Sequence, residues 1–509
     1  MEIKGIHIDL KAQTMKFGFL CRKLTELSEL GFNTVLLEYQ DKFPYSGEYA
    51  CLAGPDAYTP DEVEQLKSLC RTLGMEIIPM VQCIGHMYWV TRFDRLCELG
   101  EEYSEIGKGS HSLCASDERS IRLFYELSSQ VMAFHGESRY FHIGGDEVKF
   151  SENCPKCSKA HSHGELLGEY YRKAVTHVSA NGFIPAMWGD MVIKYEAVAD
   201  YLPKDTLILD WMYHKGLTEA NARRFYGEAK PWCVTDDSSF ETTSQLVAKG
   251  FDVLVSPALR SMGDSQFIPR NIHLDNCVQA FYTAHDTGAK GVMLTSWSVR
   301  RSPWQLTEPV INVIAQLFKN PDTTYADTLK VWSAKTYGTP EDTSLGEIGY
   351  ILADAVEKAM KTAEFLSAGQ NYMDAETGMF LPRTLRKRTI KVDIRENEDV
   401  IKAYTELRNT AVRLGERLCE YADANEYTAM LMWSIENAKF YGGLVSELCD
   451  NTGNDEVLCE LKVRLDEFAP TVDVIGKYYT DFSMPSEYMS RVEVYKDFID
   501  RFVSAVNIE

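Results

Sequence analysis

Tyr140-Phe141-His142-Ile143-Gly144-Gly145-Asp146-Glu147-Val148 is an apolar, β-rich run that ends in paired glycines and then in two adjacent carboxylates. Reactive groups just past the end of a short buried strand are what a (β/α)8 barrel carries at its open mouth. Working outward, comparable runs recur at Gly5 to Leu10, Asn33 to Tyr39, Glu76 to Gln82, Phe183 to Trp188, Thr206 to Trp211 and Gly291 to Trp297. Helical patterns separate them, which is the signal for βα units around a parallel sheet. The seventh strand is ambiguous between Pro231 to Thr235 and Asp252 to Pro257, and the second is favoured. One connecting helix is well marked: Thr59-Pro60 opens it, Asp61, Glu62 and Glu64 load its first turn, and Gly74 closes it.

Past Pro321 the pattern changes to long amphipathic helices. Ile348, Ile351, Leu352, Ala355, Ala359, Ala363 and Leu366 share one face, and Val400, Tyr404, Leu407, Ala411, Leu414 and Leu418 share another. The expected organisation is therefore an α/β TIM barrel over residues 1–322 followed by a mostly α-helical region over 323–509, packed on the barrel or on a second copy of the chain. The basic run Arg383, Arg386, Lys387, Arg388 and Lys391 reads as a solvated face.

Composition sets limits. A formal net charge of −22 argues against nucleic-acid partners, which are held by Lys and Arg neutralising phosphates. Met1 leads directly into Glu2-Ile3-Lys4-Gly5 without an apolar signal region, and no stretch reaches membrane-spanning length, so a cytoplasmic protein without a membrane partner is expected. Thirteen cysteines, an odd number, suit a reducing compartment. Among them Cys154 and Cys157, followed by His161 and His163, have a spacing that can hold structural zinc, although the second half lacks the longer spacer of common zinc folds.

The string His142 to Glu147 resembles the His-x-Gly-Gly-Asp-Glu signature of family 20 glycoside hydrolases, the β-N-acetylhexosaminidases. Gly5 to Lys11, Leu37 to Tyr45, Pro79 to His86, Met187 to Met191 and Leu294 to Trp297 are similar, in the same order, to the single-domain, hexosaminidase D-like branch. The resemblance covers residues 1 to about 320 and implies exo-acting hydrolysis of terminal 2-acetamido-β-hexosides with retention, on a glycan or glycoconjugate, without a required cofactor. Two carboxyls flanking a sugar as acid and nucleophile usually stand about 5 Å apart on separate strands. Neighbours such as Asp146 and Glu147 more naturally share one face of a substrate that supplies its own nucleophile. By resemblance, Glu147 protonates the leaving oxygen, Asp146 steadies the substrate's acetamido group, and the Tyr213 hydroxyl donates to the acetamido oxygen. A carboxylic acid can donate near neutral pH only if its pKa is lifted, and Asp146 beside Glu147 is expected to lift it.

Trp188, Trp211 and Trp297 each end an expected strand, so they should converge as flat walls for the apolar faces of a sugar. His86, in a Gly-His setting at a strand end, is a further candidate, and His142 is expected to brace the acid pair. Asp190, within the similar Met187 to Met191 segment, joins the candidate set. The chain departs from the family twice. Asp9-Leu10-Lys11 stands where the better-known members have a sugar-gripping arginine, and Trp297 is followed by Ser298-Val299-Arg300-Arg301 rather than by a nearby glutamate. Asp9, Lys11, Glu38, Asp41 and Glu308 are the candidates to replace those contacts. The branch leans toward galactosaminides, which favours N-acetylgalactosamine slightly. Competing readings are a lacto-N-biosidase-like or O-GlcNAc hydrolase, and a carbohydrate-binding barrel without catalysis.

Overall fold

The structure is a computed structural model that describes residues 1–11, 14–228, 230–261, 268–297, 303–366, 398–450 and 478–479. The barrel strands are β1 (Ile3–Asp9), β2 (Thr34–Glu38), β3 (Glu76–Met80), β4 (Tyr140–His142), β5 (Ile184–Trp188), β6 (Leu207–Trp211), β7 (Asp252–Ser256) and, after a short β8 (Ala258–Arg260), β9 (Gly291–Ser296). All neighbours pair in parallel, and β9 closes the ring by pairing Gly291 with Ile3 and Leu294 with Ile6. The seventh barrel strand is thus the favoured Asp252 segment. It breaks at Pro257, which has no N–H to give a ladder, and resumes as β8 beside Thr295 and Ser296.

Alternation along each strand divides the core in two. Ile3, Leu36, Ile78, Met80, Tyr140, Ala186, Trp188, Leu207, Leu209, Leu254 and Met293 fill the barrel interior, while their immediate neighbours, such as Val35, Leu37, Ile208, Val253 and Val255, pack outward under the helices. The inward rows of β1, β2 and β4 end toward the mouth in His7, Asp9, Glu38 and His142, all buried. An apolar plug at the bottom thus gives way to polar side chains at the top on the same faces.

Helices Tyr325–Tyr337, Ile348–Leu366, Glu398–Leu418 and Glu426–Asp450 follow the barrel. Ile348, Leu352 and Ala359 are buried, as are Tyr404, Leu407, Ala411, Leu414 and Leu418, whereas Ile351 and Ala355 are only partly covered. This region meets the barrel through the Ser434 hydroxyl accepting the Ile268 N–H at 2.9 Å and the Tyr479 hydroxyl accepting the Trp304 N–H at 2.7 Å. Among the described residues, no helix is long and apolar enough to cross a membrane. The basic run from Arg383 to Lys391 lies outside the described residues.

The helix Pro60–Leu73 carries a full capping box, with Thr59 and Glu62 each accepting the other's backbone N–H, and Gly74 ends it in the left-handed conformation. Thr59→Ala should lower stability by about 0.5–2 kcal/mol. Urea denaturation would show this as a lower midpoint with an unchanged slope.

Candidate active site

The catalytic-looking turn after β4 is built on unusual backbone. Gly144 and Gly145 have φ of 66° and 84°, and Glu147 and His86 adopt φ of 49° and 51°, which side-chain-bearing residues rarely do. A side chain at Gly144 would run into the Gln82 amide, and one at Gly85 would run into the Asp146 carbonyl oxygen. The loop after β3 and the turn after β4 therefore press backbone against backbone. His142 sets the turn's start: its Nδ1 accepts the Gly144 N–H at 3.0 Å, which leaves the proton on Nε2, and its ring meets Trp188 edge-on at 4.7 Å.

Asp146 and Glu147 sit differently despite being neighbours. The Asp146 side chain is 7% exposed and that of Glu147 is 51% exposed. The Gln82 amide accepts the Gly145 N–H at 3.1 Å through Oε1 and donates to Asp146 Oδ1 at 2.9 Å through Nε2. His86 Nε2 lies 3.1 Å from Asp146 Oδ2 and 3.4 Å from Glu147 Oε2. Asp190 completes the frame, its Oδ2 accepting the Glu147 N–H at 2.9 Å and its Oδ1 accepting Trp211 Nε1 at 3.3 Å.

The protonation pattern follows from these contacts. Burial works to raise Asp146, but the His86 imidazolium and the Gln82 amide outweigh it and hold the carboxyl below its ordinary value. Burial alone would lower His86, yet the two carboxylates keep it up at about 10. Glu147 is also held low, chiefly by its hydrogen bond with His86, so the expected lift by Asp146 is overridden in the free protein. Asp190, pushed up to about 7 by burial and then by the Asp146 charge, is the carboxyl poised near neutrality. His111, whose ring lies 4.6 Å from His86, is lowered to about 4 by burial and by that neighbour's charge.

The expected aromatic convergence is present. Trp188 is fully buried at the base and Trp297 lies 5.6 Å from it; Tyr213 stacks on Trp211 at 4.8 Å and meets Trp297 edge-on at 6.0 Å. Beside them Asp9 and Glu38, paired in register, receive Lys11 Nζ at 3.3 Å each, and the same ammonium lies 4.8 Å from the centre of the Trp297 ring. His7 Nε2 contacts Glu38 Oε2 at 3.2 Å.

Three expectations are corrected. Asp41 pairs not with Lys11 but with Lys42 at 3.3 Å and Arg92 at 4.0 Å, in a network with Asp56 that ties down the loop after β2. Glu308 is taken by Lys23 at 2.9 Å, between the helices Phe17–Glu29 and Glu308–Lys319 on the outside of the barrel. His161 is exposed and His163 stacks on Phe150 at 4.2 Å; neither joins Cys154 and Cys157, which cluster instead with Cys114 and Glu101. Gln82, His7 and His111 were missed as site residues. Gln82 was legible in principle, since it continues the inward row of β3 after Ile78 and Met80.

His86 gives a test of this electrostatic frame. Its pKa rises from 6.5 to about 10 on folding, so the stability it contributes is fully present below pH 6.5 and is lost as pH climbs through 10. Urea denaturation across that window should show wild type losing stability relative to His86→Gln. Parallel pH profiles for the two proteins would refute the assignment.

Comparison with known proteins finds similarity over the segment that carries these residues. Residues 21–226 match the model of the glycosyl hydrolase family 20 catalytic domain. Hexosaminidase D of Bos taurus is 31% identical over 199 residues, covering 37% of this chain and 55% of that protein. Hexosaminidase D of Homo sapiens is 28% identical over 313 residues, covering 58% of this chain and 60% of that protein. The chain thus spans somewhat more than half the length of these relatives. Among solved structures, the exo β-N-acetylglucosaminidase of Vibrio harveyi aligns at 16% identity with a TM-score of 0.45, over 61% of this chain and 52% of that one. Asp146, Glu147 and Asp190 all lie inside the segment that matches the glycosyl hydrolase family 20 catalytic domain, and over that segment the chain is similar to hexosaminidase D.

Proposed function

We propose that the chain is an exo-acting, retaining β-N-acetylhexosaminidase that uses the substrate's own acetamido group as nucleophile. The observation that carries the reading is the unequal pair: Asp146, buried and charged between Gln82 and His86, beside a half-exposed Glu147. A buried carboxylate held by two donors still has lone pairs to accept a substrate N–H and to offset positive charge developing there. A carboxyl open to the mouth is placed to give a proton to a leaving oxygen and later to take one from water.

In this reading the acetamido oxygen attacks the anomeric carbon as the bond to the leaving oxygen breaks, with Glu147 supplying the proton. Asp146 accepts the amide N–H of the resulting oxazolinium-type ion, and the Tyr213 hydroxyl donates to the acetamido oxygen. Glu147 then deprotonates the water that reopens the ring, and two inversions give retention. Trp188 forms the floor, Trp211 and Trp297 the walls. Lys11, held by Asp9 and Glu38 beside Trp297, takes the hydroxyl-recognition role for which the family arginine is missing. No metal or organic cofactor takes part at the reacting centre. A cytoplasmic location belongs to the same reading, on the strength of thirteen cysteines, an odd number that suits a reducing compartment.

Hydrolysis of paired gluco- and galacto-configured 4-nitrophenyl glycosides, with and without the 2-acetamido group, tests the proposal. The acetamido substrates should turn over and the 2-hydroxyl ones should be almost inert, with N-acetyl-β-galactosaminide accepted at least as well as its epimer. A gluco preference beyond about 100-fold, roughly 2.7 kcal/mol, would exclude the Lys11 account of configuration. Asp146→Asn should cost about 2–4 kcal/mol in transition-state stabilisation. Glu147→Gln should cripple natural sugar aglycones more than activated aryl ones. Stoichiometric labelling of a carboxylate by a 2-fluoro sugar, seen by mass spectrometry, would replace substrate assistance with a protein nucleophile.

A further inference from the structure

Glu101, Cys114, Cys154 and Cys157 are all buried, and one ligand atom from each lies within 4.8 Å of all the others. Cys114 Sγ stands 3.7 Å from Cys154 Sγ and 3.5 Å from Cys157 Sγ. A disulfide needs about 2.05 Å, so these sulfurs are not bonded to one another. A tetrahedral zinc ion with Zn–S of about 2.3 Å separates its sulfurs by about 3.8 Å, close to the spacing found. The Cys157 N–H points at Cys154 Sγ at 3.4 Å, fixing the loop that carries both sulfurs. Glu101 supplies the fourth corner. Its Oε1 accepts the Ser151 N–H at 3.1 Å, while its Oε2 is buried with the thiols of Cys154 and Cys157 as its neighbours. Among the described residues no cationic side chain pairs with this buried carboxyl, which faces three sulfurs and so lacks the positive partner that burial of its charged form requires.

We propose that these four residues bind one Zn²⁺ in a closed, structural site. Coordination displaces the thiol protons to solvent and leaves no open position for chemistry. The consequence lies in the chain connections. Glu101 and Cys114 belong to the long loop after β3 that carries His86 and His111, whereas Cys154 and Cys157 belong to the loop after β4 that carries Asp146 and Glu147. The ion would clamp one loop to the other, adding to the Lys149 N–H donated to Ser112 Oγ at 2.9 Å, and would keep His86 seated against the acid pair. The site is independent of the reaction proposed above, since it rests on ligand geometry and not on the sugar chemistry.

Metal analysis of the full chain, expressed with supplemented zinc and desalted under reducing conditions, should find about one zinc ion per chain. A mercurial thiol reagent should release it in step with modification of the three cysteines. Glu101→Gln and Cys157→Ser should each lose at least about tenfold in zinc retention against a competing chelator, and the His161→Ala/His163→Ala double variant should retain it fully. Should Cys157→Ser fail to fold, cobalt-substituted wild type decides alone: thiolate-to-cobalt charge-transfer bands with tetrahedral ligand-field absorption support the site. Less than about a tenth of an ion per zinc-loaded chain, an octahedral cobalt spectrum without sulfur bands, or zinc lost from the histidine double variant overturns it.

Discussion

The mouth of this barrel depends on how Asp146 keeps a negative charge where water scarcely reaches. Burying a carboxylate costs several kcal/mol unless opposite charge and donors replace its hydration. Gln82 and His86 supply that replacement from the loop after β3, at 2.9 and 3.1 Å. The requirement explains the local backbone: the two segments must approach so closely that Gly85 and Gly144 leave no room for side chains. His86, in a left-handed conformation, sets its ring against both carboxylates, contacts that offset the cost of that backbone.

Much of this was legible because the strand period is two. Inward positions of β5 and β6 carry Trp188, Leu209 and Trp211, and of β2 Leu36 and Glu38, so an alternating apolar row that turns polar or aromatic at its end marks the mouth. The same rule shows why Asp41 failed. It lies three residues past Glu38, beyond the strand in the turn Gln40–Lys42, where parity no longer fixes direction, and Lys42 and Arg92 were available to claim it. Glu308 failed for a related reason. It opens a helix outside the barrel, and Lys23, distant in sequence, could be found as its partner only once both helices were packed.

The cysteine cluster marks a different limit. Spacing along the chain favoured His161 and His163 as partners of Cys154 and Cys157, because near neighbours in sequence are the natural first guess for a metal site. The fold instead brings in Cys114 and Glu101 from the preceding βα connection, forty or more residues away, while the helix His163–Ala180 carries His163 off to stack on Phe150. Long-range pairing of two loops is a property of the closed ring of strands, and no local pattern encodes it.

The remaining tension is that Glu147 is held low in the free protein, whereas a proton donor must carry its proton. Two adjacent carboxylates facing one imidazolium cannot both keep full stabilisation once water is removed, and the question is which one yields. Asp146 is already dry, so a ligand in the mouth changes its surroundings little. Glu147, with half its side chain in solvent and the longer contact to His86 at 3.4 Å, loses most when a sugar covers it. Covering it raises the cost of its charge while the shorter His86–Asp146 contact persists. On the proposed reading, occupancy of the mouth sends the proton to Glu147 and leaves the charge on Asp146, which is the division of labour that acid catalysis with a neighbouring electrostatic stabiliser demands.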